Sequence, residues 1–419
     1  MSSLMLTHKE TRPVRLLHIV GESRFGGVAK IILPLSQLAQ ADGWQVDILT
    51  TDPVFQQAVR QHGLGLVNLD VIRREIRPLW DLGGLLRLLQ FLRSEPYHIV
   101  HTHTSKGGFV GRLASRLAGV PVIVHTAHGF AFHEGSPVSH RLLYSTLERI
   151  ASHWCDRIVS VSEFHRKWAI ELGMCRPRHI MAIPNGIADV ARNQKVSPAE
   201  LRRQLGTRCG DLLILSIARL AEDKGLKYLI EAAAMLPHMG RRIQIVIAGE
   251  GPARDRLTQL ASHLCVTDQV SFAGFREDVG DLLAACDIVI LPTLREGLSL
   301  SLLEAMAAGK PIITTSIGSQ REVSSHAEMA LLVRPGDPLS LSESILRLAG
   351  DQALMARLGR NARAVYESCY TETKMLQSYR QLYFDLLGAN HPVEMRSTRS
   401  IGILDFSERG GFPNAKDAG

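Results

Sequence analysis

Residues 287–315 read DIVILPTLREGLSLSLLEAMAAGKPIITT, and how this stretch folds decides the architecture. Asp287 to Pro292 is an apolar run of the kind that forms a parallel strand buried on both faces. A tight turn at Gly297 and a short apolar helix follow, stopped by Gly309 and Pro311, and Pro311–Thr315 reads as the next strand. Glu296 and Glu304 stand eight positions apart among residues that otherwise favour burial. An ionised carboxylate in such surroundings is costly unless something pairs with it. The pattern points to a ligand rich in hydroxyls, held at the carboxyl end of a strand and at a helix N-terminus.

Working outward, apolar strands alternate with amphipathic helices along most of the chain. In the first half, strands are predicted at Val14–Val20, Gln45–Thr50, Gly65–Leu69, His98–His101, Val120–Thr126 and Arg157–Val161. The helices between them run to about Ala41, over Asp81–Ser94, from Lys106 and through 138–153. Ile183-Pro-Asn-Gly-Ile187 is a turn, and the polar stretch to about Pro198 reads as a linker. The alternation then restarts, with strands at Leu212–Ala218, Ile243–Ala248, Val270–Ala273 and Ile288–Leu291. Its helices begin at about Leu226 and Pro252 and cover Val279–Ala285, Leu339–Leu348, Gln352–Glu367 and Thr371–Leu387. Such alternation specifies parallel sheets covered on both faces, so the expected class is α/β with two doubly wound domains facing a cleft. The expected divisions are 1–190, 198–370, a C-terminal helix at 371–388, and a disordered tail at 389–419.

The chain has 419 residues, 45% of them hydrophobic and 21% charged, which suits a globular protein of two ordinary domains. No apolar run approaches the roughly 20 residues that span a bilayer. The opening MSSLMLTHKETRPVR lacks the apolar core of a signal peptide, so a cytoplasmic location is expected. The six cysteines show no C-x-x-C spacing and read as reduced thiols. Residues 1–184 carry 21 of the 48 basic and 14 of the 41 acidic side chains, and the remainder is balanced. This basic half suits an anionic partner such as a membrane face or a phosphorylated acceptor, or is simply a solvated surface. Aromatic content of 5% and the lack of basic runs interleaved with aromatics argue against nucleic acid. Ile72–Arg93, with its arginines, Trp80 and leucines, reads either as a membrane-surface helix or as a core-packed helix with a basic edge.

Arg219-Leu-Ala-Glu-Asp-Lys-Gly225 joins a buried strand to a helix. The basic pair Arg219 and Lys224 at a helix N-terminus suits a diphosphate, although pairing with Glu222 and Asp223 is the plainer reading. Gly26 and Gly27 allow close backbone approach after the first strand, but the spacing is not a dinucleotide fingerprint. Gly251, in Gly249-Glu-Gly-Pro252, fits either tight packing or ligand approach. His101, His103, His125 and His128 flank strand ends. No acid or cysteine completes a metal set with them, so no metal is expected. His128, followed by Gly129, is the candidate that faces a sugar, and His101 reads as a buried structural histidine. Glu304 also fits a capping box with Ser301, and Glu296 a solvated loop acid. The two acids together, with Gly297 and a helix start between them, favour ligand binding. Side chains on a helix lean toward its N-terminus, which aims Glu304 at the ligand end.

Together these residues resemble the retaining glycosyltransferases of family 4, which have the GT-B fold, over about residues 14–387. The most specific match is the E-x7-E pattern met by Glu296 and Glu304. Gly26-Gly27, Pro184-Asn-Gly186, Arg219 with Lys224-Gly225, and Gly249-Glu-Gly-Pro252 support it. The runs HTHTSKGGFVGRLASRL and HTAHGFAF look like the branch that builds bacterial exopolysaccharide, capsule and lipid-linked repeat units. The resemblance implies a C-terminal helix that crosses back to the first domain. It also implies a nucleotide-sugar donor, UDP-linked, a lipid-linked or glycan acceptor, and no cofactor or metal. Arg219 and Lys224 are implied to hold the diphosphate, Glu296 the sugar hydroxyls and Glu304 the ribose. The backbone of Gly297, Leu298, Ser299 and Leu300 is implied to meet sugar and phosphate, with His128 beside the reacting sugar. One departure is Gly318-Ser-Gln-Arg-Glu322, where Ser319 replaces a second glycine. The rival readings are a UDP-sugar 2-epimerase on the same fold and a non-catalytic subunit of a polysaccharide assembly complex.

Overall fold

The computed structural model describes residues 13–390 except 22–25, 74–76, 193 and 238–241. The first domain is a seven-stranded sheet of β1 (Arg15–Gly21), β2 (Gln45–Thr50), β3 (Gly65–Val67), β4 (Ile99–His103), β5 (Val122–Ala127), β6 (Arg157–Ser160) and β7 (Ile180–Ala182). Its order is β3-β2-β1-β4-β5-β6-β7. The second is a six-stranded sheet of β8 (Leu212–Ile217), β9 (Ile243–Ala248), β10 (Val270–Gly274), β11 (Ile288–Leu291), β12 (Ile312–Thr315) and β13 (Ala330–Val333), in the order β10-β9-β8-β11-β12-β13. Every pairing within these sheets is parallel. The chain order reverses beside β1 and beside β8, and clefts for ligands open at the carboxyl ends of the strands at such switch points.

The short strands β7 and β13 and the helices Pro53–Gln61, Glu163–Glu171 and Gly318–Ser324 were not expected. Each is nine residues or fewer, too short to develop a period of its own. The expected linker runs through a 3₁₀ turn at Val190–Arg192 to helix Pro198–Gln204. The Glu22–Phe25 part of the first glycine loop and the tail beyond Asn390 lie outside the described residues. Ala389 and Asn390 themselves complete the last helix rather than open a tail.

That last helix, Glu372–Asn390, leaves the second domain and packs on the first. Met375, Leu376, Tyr379, Leu382, Tyr383, Leu386 and Leu387 are buried in one core with Leu16, Val20 and Ile32. Their spacing of three and four places them on one helical face. Arg380 forks onto Asp42 at 2.7 and 2.8 Å. At the crossing, Ile187 bridges Thr371, donates to Tyr370 O and accepts from Glu372 N. A Cβ added at Gly186 would lie 2.3 Å from the Thr371 carbonyl oxygen, so the Pro184-Asn-Gly turn needs glycine for this close approach.

Beneath the returning helix lies a polar seam. His18 and His101 are neighbours on β1 and β4, and His103 follows on the same face of β4. His101 is held by Tyr383 OH at 2.6 Å and Thr126 Oγ1 at 2.7 Å, and Tyr379 OH lies 3.1 Å from Thr126 Oγ1. Burial pushes His18 down to about 3 and His101 and His103 well below the ordinary histidine value, so all three fold neutral. The unfolded chain protonates these rings as pH falls below about 6.5, whereas the folded chain does not. Stability is therefore full above that pH and falls below it, by up to about 1.4 kcal/mol per pH unit for each histidine. Denaturant midpoints should hold nearly level from pH 7.5 to about 6.5 and fall from there to pH 5.0, and a pH-independent midpoint over that range would refute neutral burial of the seam.

Candidate active site

One cavity of about 740 Å³ lies between the carboxyl ends of the two sheets. Val28, Thr104, Ser105, His128 and the Phe130–Gly135 loop line it from the first domain. Arg219, Asp223, Lys224, Leu294–Gly297 and Ile317–Ser319 line it from the second. β11 ends in a loop that turns at Gly297 into helix Leu300–Ala307. Gly297 permits the two domains to meet: a Cβ there would lie 1.9 Å from the His128 carbonyl oxygen. The Leu298 carbonyl accepts from Asn185 Nδ2 at 3.3 Å, so the Pro184-Asn-Gly turn braces this loop. Ser299, not Ser301, caps the helix, accepting from Leu302 N at 3.3 Å. The capping-box reading of Glu304 is thereby removed.

Glu304 is only 4% exposed, and its charge is met by Lys30 Nζ at 2.8 Å, from helix Gly27–Ala41 of the other domain. A Cβ at Gly27 would touch the Leu300 side chain at 3.4 Å. The two helices therefore start side by side across the cleft, with their free amides and positive dipole ends together. Gly26 precedes the first helical residue, and its carbonyl accepts from Lys30 N at 3.3 Å. Glu296 pairs with Lys224 Nζ. Arg219 is exposed at the rim and reaches Asp223 at 3.3 Å. The helix after this loop begins only at Leu226. Gly225 takes φ +64 against the Pro292 carbonyl and puts Lys224 in a 3₁₀ turn ahead of it. Gly251 packs on the Leu220 carbonyl and does not line the cavity.

His128 lines the cavity and its Nε2 lies 3.1 Å from His103 Nδ1, while burial lowers it to about 4. His125 is buried with Nδ1 3.0 Å from Thr102 Oγ1, and His101 is the structural histidine described above. Among the described residues, the nitrogens of His18, His101 and His103 form one cluster compact enough for a metal. Both ring nitrogens of His101 are already in hydrogen bonds of 2.6 and 2.7 Å, which leaves it no lone pair for an ion. Thr104, at φ +61, carries its strained backbone at the cavity edge, fixed by Oγ1 to Val20 O at 3.0 Å.

Lys30 and the contacts of Ser319 and Glu322, whose motif was noted, escape the sequence reading. Lys30 has no motif and sits one turn into an apolar helix. Ser319 donates to the Glu296 carbonyl at 3.0 Å, which gives the departure from a double glycine a role in holding that loop. Glu322 accepts from Glu163 N at 2.9 Å and from Phe164 N, capping helix Glu163–Glu171 across the cleft. Phe130, Phe132, Phe164 and Trp168 form an aromatic wall of the cavity. Their signal was present in the alternation of Phe130 and Phe132 and in the four-residue spacing of Phe164 and Trp168.

Residues 26–186 match the model of the glycosyl transferase 4-like domain, and residues 198–365 that of glycosyl transferases group 1. The chain is 26% identical over 378 residues to the UDP-Gal:α-D-GlcNAc-diphosphoundecaprenol α-1,3-galactosyltransferase of Escherichia coli, covering 89% of this chain and 97% of that one. It is 31% identical to EpsD of Bacillus subtilis, which carries a glycosyltransferase name, covering 79% and 87%. Among solved structures, Anabaena HepE in complex with UDP and glucose superposes with a TM-score of 0.75 at 22% identity, covering 89% of this chain and all of the other. WaaG, a glycosyltransferase of lipopolysaccharide biosynthesis, does so at 0.70 and 20%. The paired parallel sheets, the returning helix and the acid pair at the end of β11 thus belong to a GT-B glycosyltransferase of family 4, and the chain is a member of that family.

Proposed function

We propose that the protein transfers a hexose or N-acetylhexosamine from a UDP-linked donor to a lipid-linked or polysaccharide acceptor, with retention and without a bound metal. The observation that carries this reading is the convergence in one cavity of Arg219, Lys224, Glu296 and Val28 at the start of helix Gly27–Ala41, with Glu296 and the buried Glu304 each held by a lysine. The cationic rim and the amides of residues 297–300 take the diphosphate, Glu296 accepts sugar hydroxyls and Glu304 accepts the ribose. Leaving-group charge is stabilised where it develops, by groups already in place. The acceptor hydroxyl attacks from the face the phosphate leaves, and its proton passes to the departing phosphate oxygen. The aromatic wall stacks on a sugar ring from the first-domain side.

The relatives named above for transfer, including one from UDP-galactose to a diphosphoundecaprenol-linked sugar, support this reading over an epimerase or a non-catalytic subunit. The acceptor side suits the cytoplasmic membrane face. Helices Pro78–Ser94 and Val138–Ser152 both pack against helix Ser105–Ala118. They expose Leu79 (89%), Leu82, Leu86, Val138, Leu142 (66%) and Leu143, with Arg87, Arg93 and Arg149 also exposed among them. Apolar residues flanked by arginines suit an anionic bilayer surface. No described helix is long and apolar enough to cross a membrane.

Purified protein with radiolabelled UDP-sugars and a lipid-linked acceptor extract provides the direct assay. Glu296→Gln should lower kcat/KM about 10–100-fold while leaving UDP affinity close to wild type, and Glu304→Gln should weaken UDP itself about tenfold. Unchanged transfer by Glu296→Gln would end the assignment of this site. Transfer should survive exhaustive chelation, and loss of activity restored by added magnesium or manganese would overturn metal independence. Leu79→Asp with Leu142→Asp should cut co-sedimentation with anionic vesicles by about tenfold, and unaltered sedimentation would exclude this face.

A further inference from the structure

His128 does not stand alone behind the cavity. Its Nε2 lies 3.1 Å from His103 Nδ1, and His103 Nε2 lies 3.0 Å from His18 Nδ1. The three rings form a file from the cavity into the core of the first sheet. At the inner end, His18 Nε2 is fully buried and has no hydrogen-bond partner among the described residues. Burial keeps all three rings neutral, with His128 near 4, His18 near 3 and His103 well below the ordinary value.

A neutral imidazole has one N–H and one acceptor nitrogen, so two successive bonds leave only two consistent arrangements. In the inward one, His128 donates through Nε2, His103 donates through Nε2, and His18 must carry its proton on Nε2, where nothing receives it. In the outward one, His18 donates through Nδ1 to His103 Nε2, and His103 through Nδ1 to His128 Nε2. His128 then carries its proton on Nδ1. The outward arrangement buries an unfilled lone pair and the inward one an unpaired N–H, which protein interiors tolerate less.

We propose that His18 and His103 are positioning residues whose outward-polarised hydrogen-bond file fixes His128 as a neutral Nδ1–H donor. That this donor meets a sugar oxygen rests on the proposed function; the polarity of the file does not. A neutral donor holds a hydroxyl oxygen without adding a positive charge beside an anomeric carbon that itself becomes positive as the phosphate departs.

The test is the tautomeric state of the three histidines, read from side-chain nitrogen shifts of the full chain labelled with ¹⁵N-histidine at pH 7.5, without ligand. Resonances are assigned with His18→Asn, His103→Asn and His128→Asn. Protonated Nδ1 and unprotonated Nε2 in all three rings is the expected result. This is the reverse of the form that predominates for histidine free in water. Protonated Nε2 on His128, or an imidazolium in any of the three, would overturn the proposal. Activity gives a second readout. His18→Leu, which removes the donor to His103, should lower kcat about tenfold with donor KM nearly unchanged. His18→Asn, whose amide N–H stands in for Nδ1–H, should restore most of that loss, and equal loss in both variants would count against positioning. If the tautomers stand but no UDP-sugar moves the His128 resonances, the proposed function fails and the polarity of the file survives.

Discussion

The buried charge of Glu304 sets the arrangement of this molecule. A carboxylate 4% exposed, inside an apolar helix, requires a cation, and among the described residues that cation is Lys30 of the first domain. Meeting that need places helix Gly27–Ala41 beside helix Leu300–Ala307 with their starts in step. Two sets of unpaired amides then face the same space. An ion pair within one domain would leave the cleft free to hold any separation, whereas a pair split across the cleft fixes how the two helix starts lie against each other. The Lys30 side chain of the pair is 37% exposed, whereas the Glu304 side chain is 6% exposed.

The remaining contacts across the cleft work by close approach. Gly297 lies against the His128 carbonyl, Gly318 against the Phe164 ring and Gly186 against Thr371, each at a distance that a Cβ would violate. Glu322 adds a charge-assisted cap on helix Glu163–Glu171. The return of helix Glu372–Asn390 gives the first domain part of its own core. The crossing at Ile187 and Thr371 is thus a double strand of chain whose position depends on the packing of both domains.

The fold was legible because strands buried on both faces announce themselves as apolar runs, and every long run became a central strand. Of the four edge strands, β3 and β10 were legible and two were not: β7 has three residues and β13 four. Of the site, the second-domain half was readable because its residues lie close in sequence, Arg219 with Lys224 and Glu296 with Glu304. Of the first-domain residues named from sequence, His128 lines the cavity, whereas Gly26 and Gly27 lie beside it, next to Val28, which does. Lys30, Glu322 and His18 act through partners 274, 159 and 85 positions away, and no local spacing encodes such pairs. Ser319 looked like a blemish in a glycine motif because its partner is a backbone carbonyl, which leaves no mark in sequence.

The two halves of the cavity also differ in charge. Arg219 and Lys224 line the second-domain side together with Asp223 and Glu296, while His128 on the opposite wall is held neutral by burial. A glycosyl transfer separates charge in that same sense, negative on the departing phosphate and positive at the sugar carbon. Fixed cations near the phosphate stabilise the first charge, but any cation beside the sugar would oppose the second at the low dielectric of a closed cleft. On the proposed function, a neutral His128 beside the sugar suits that separation of charge. Burial beside the seam of histidines under the C-terminal helix is what lowers His128, to about 4.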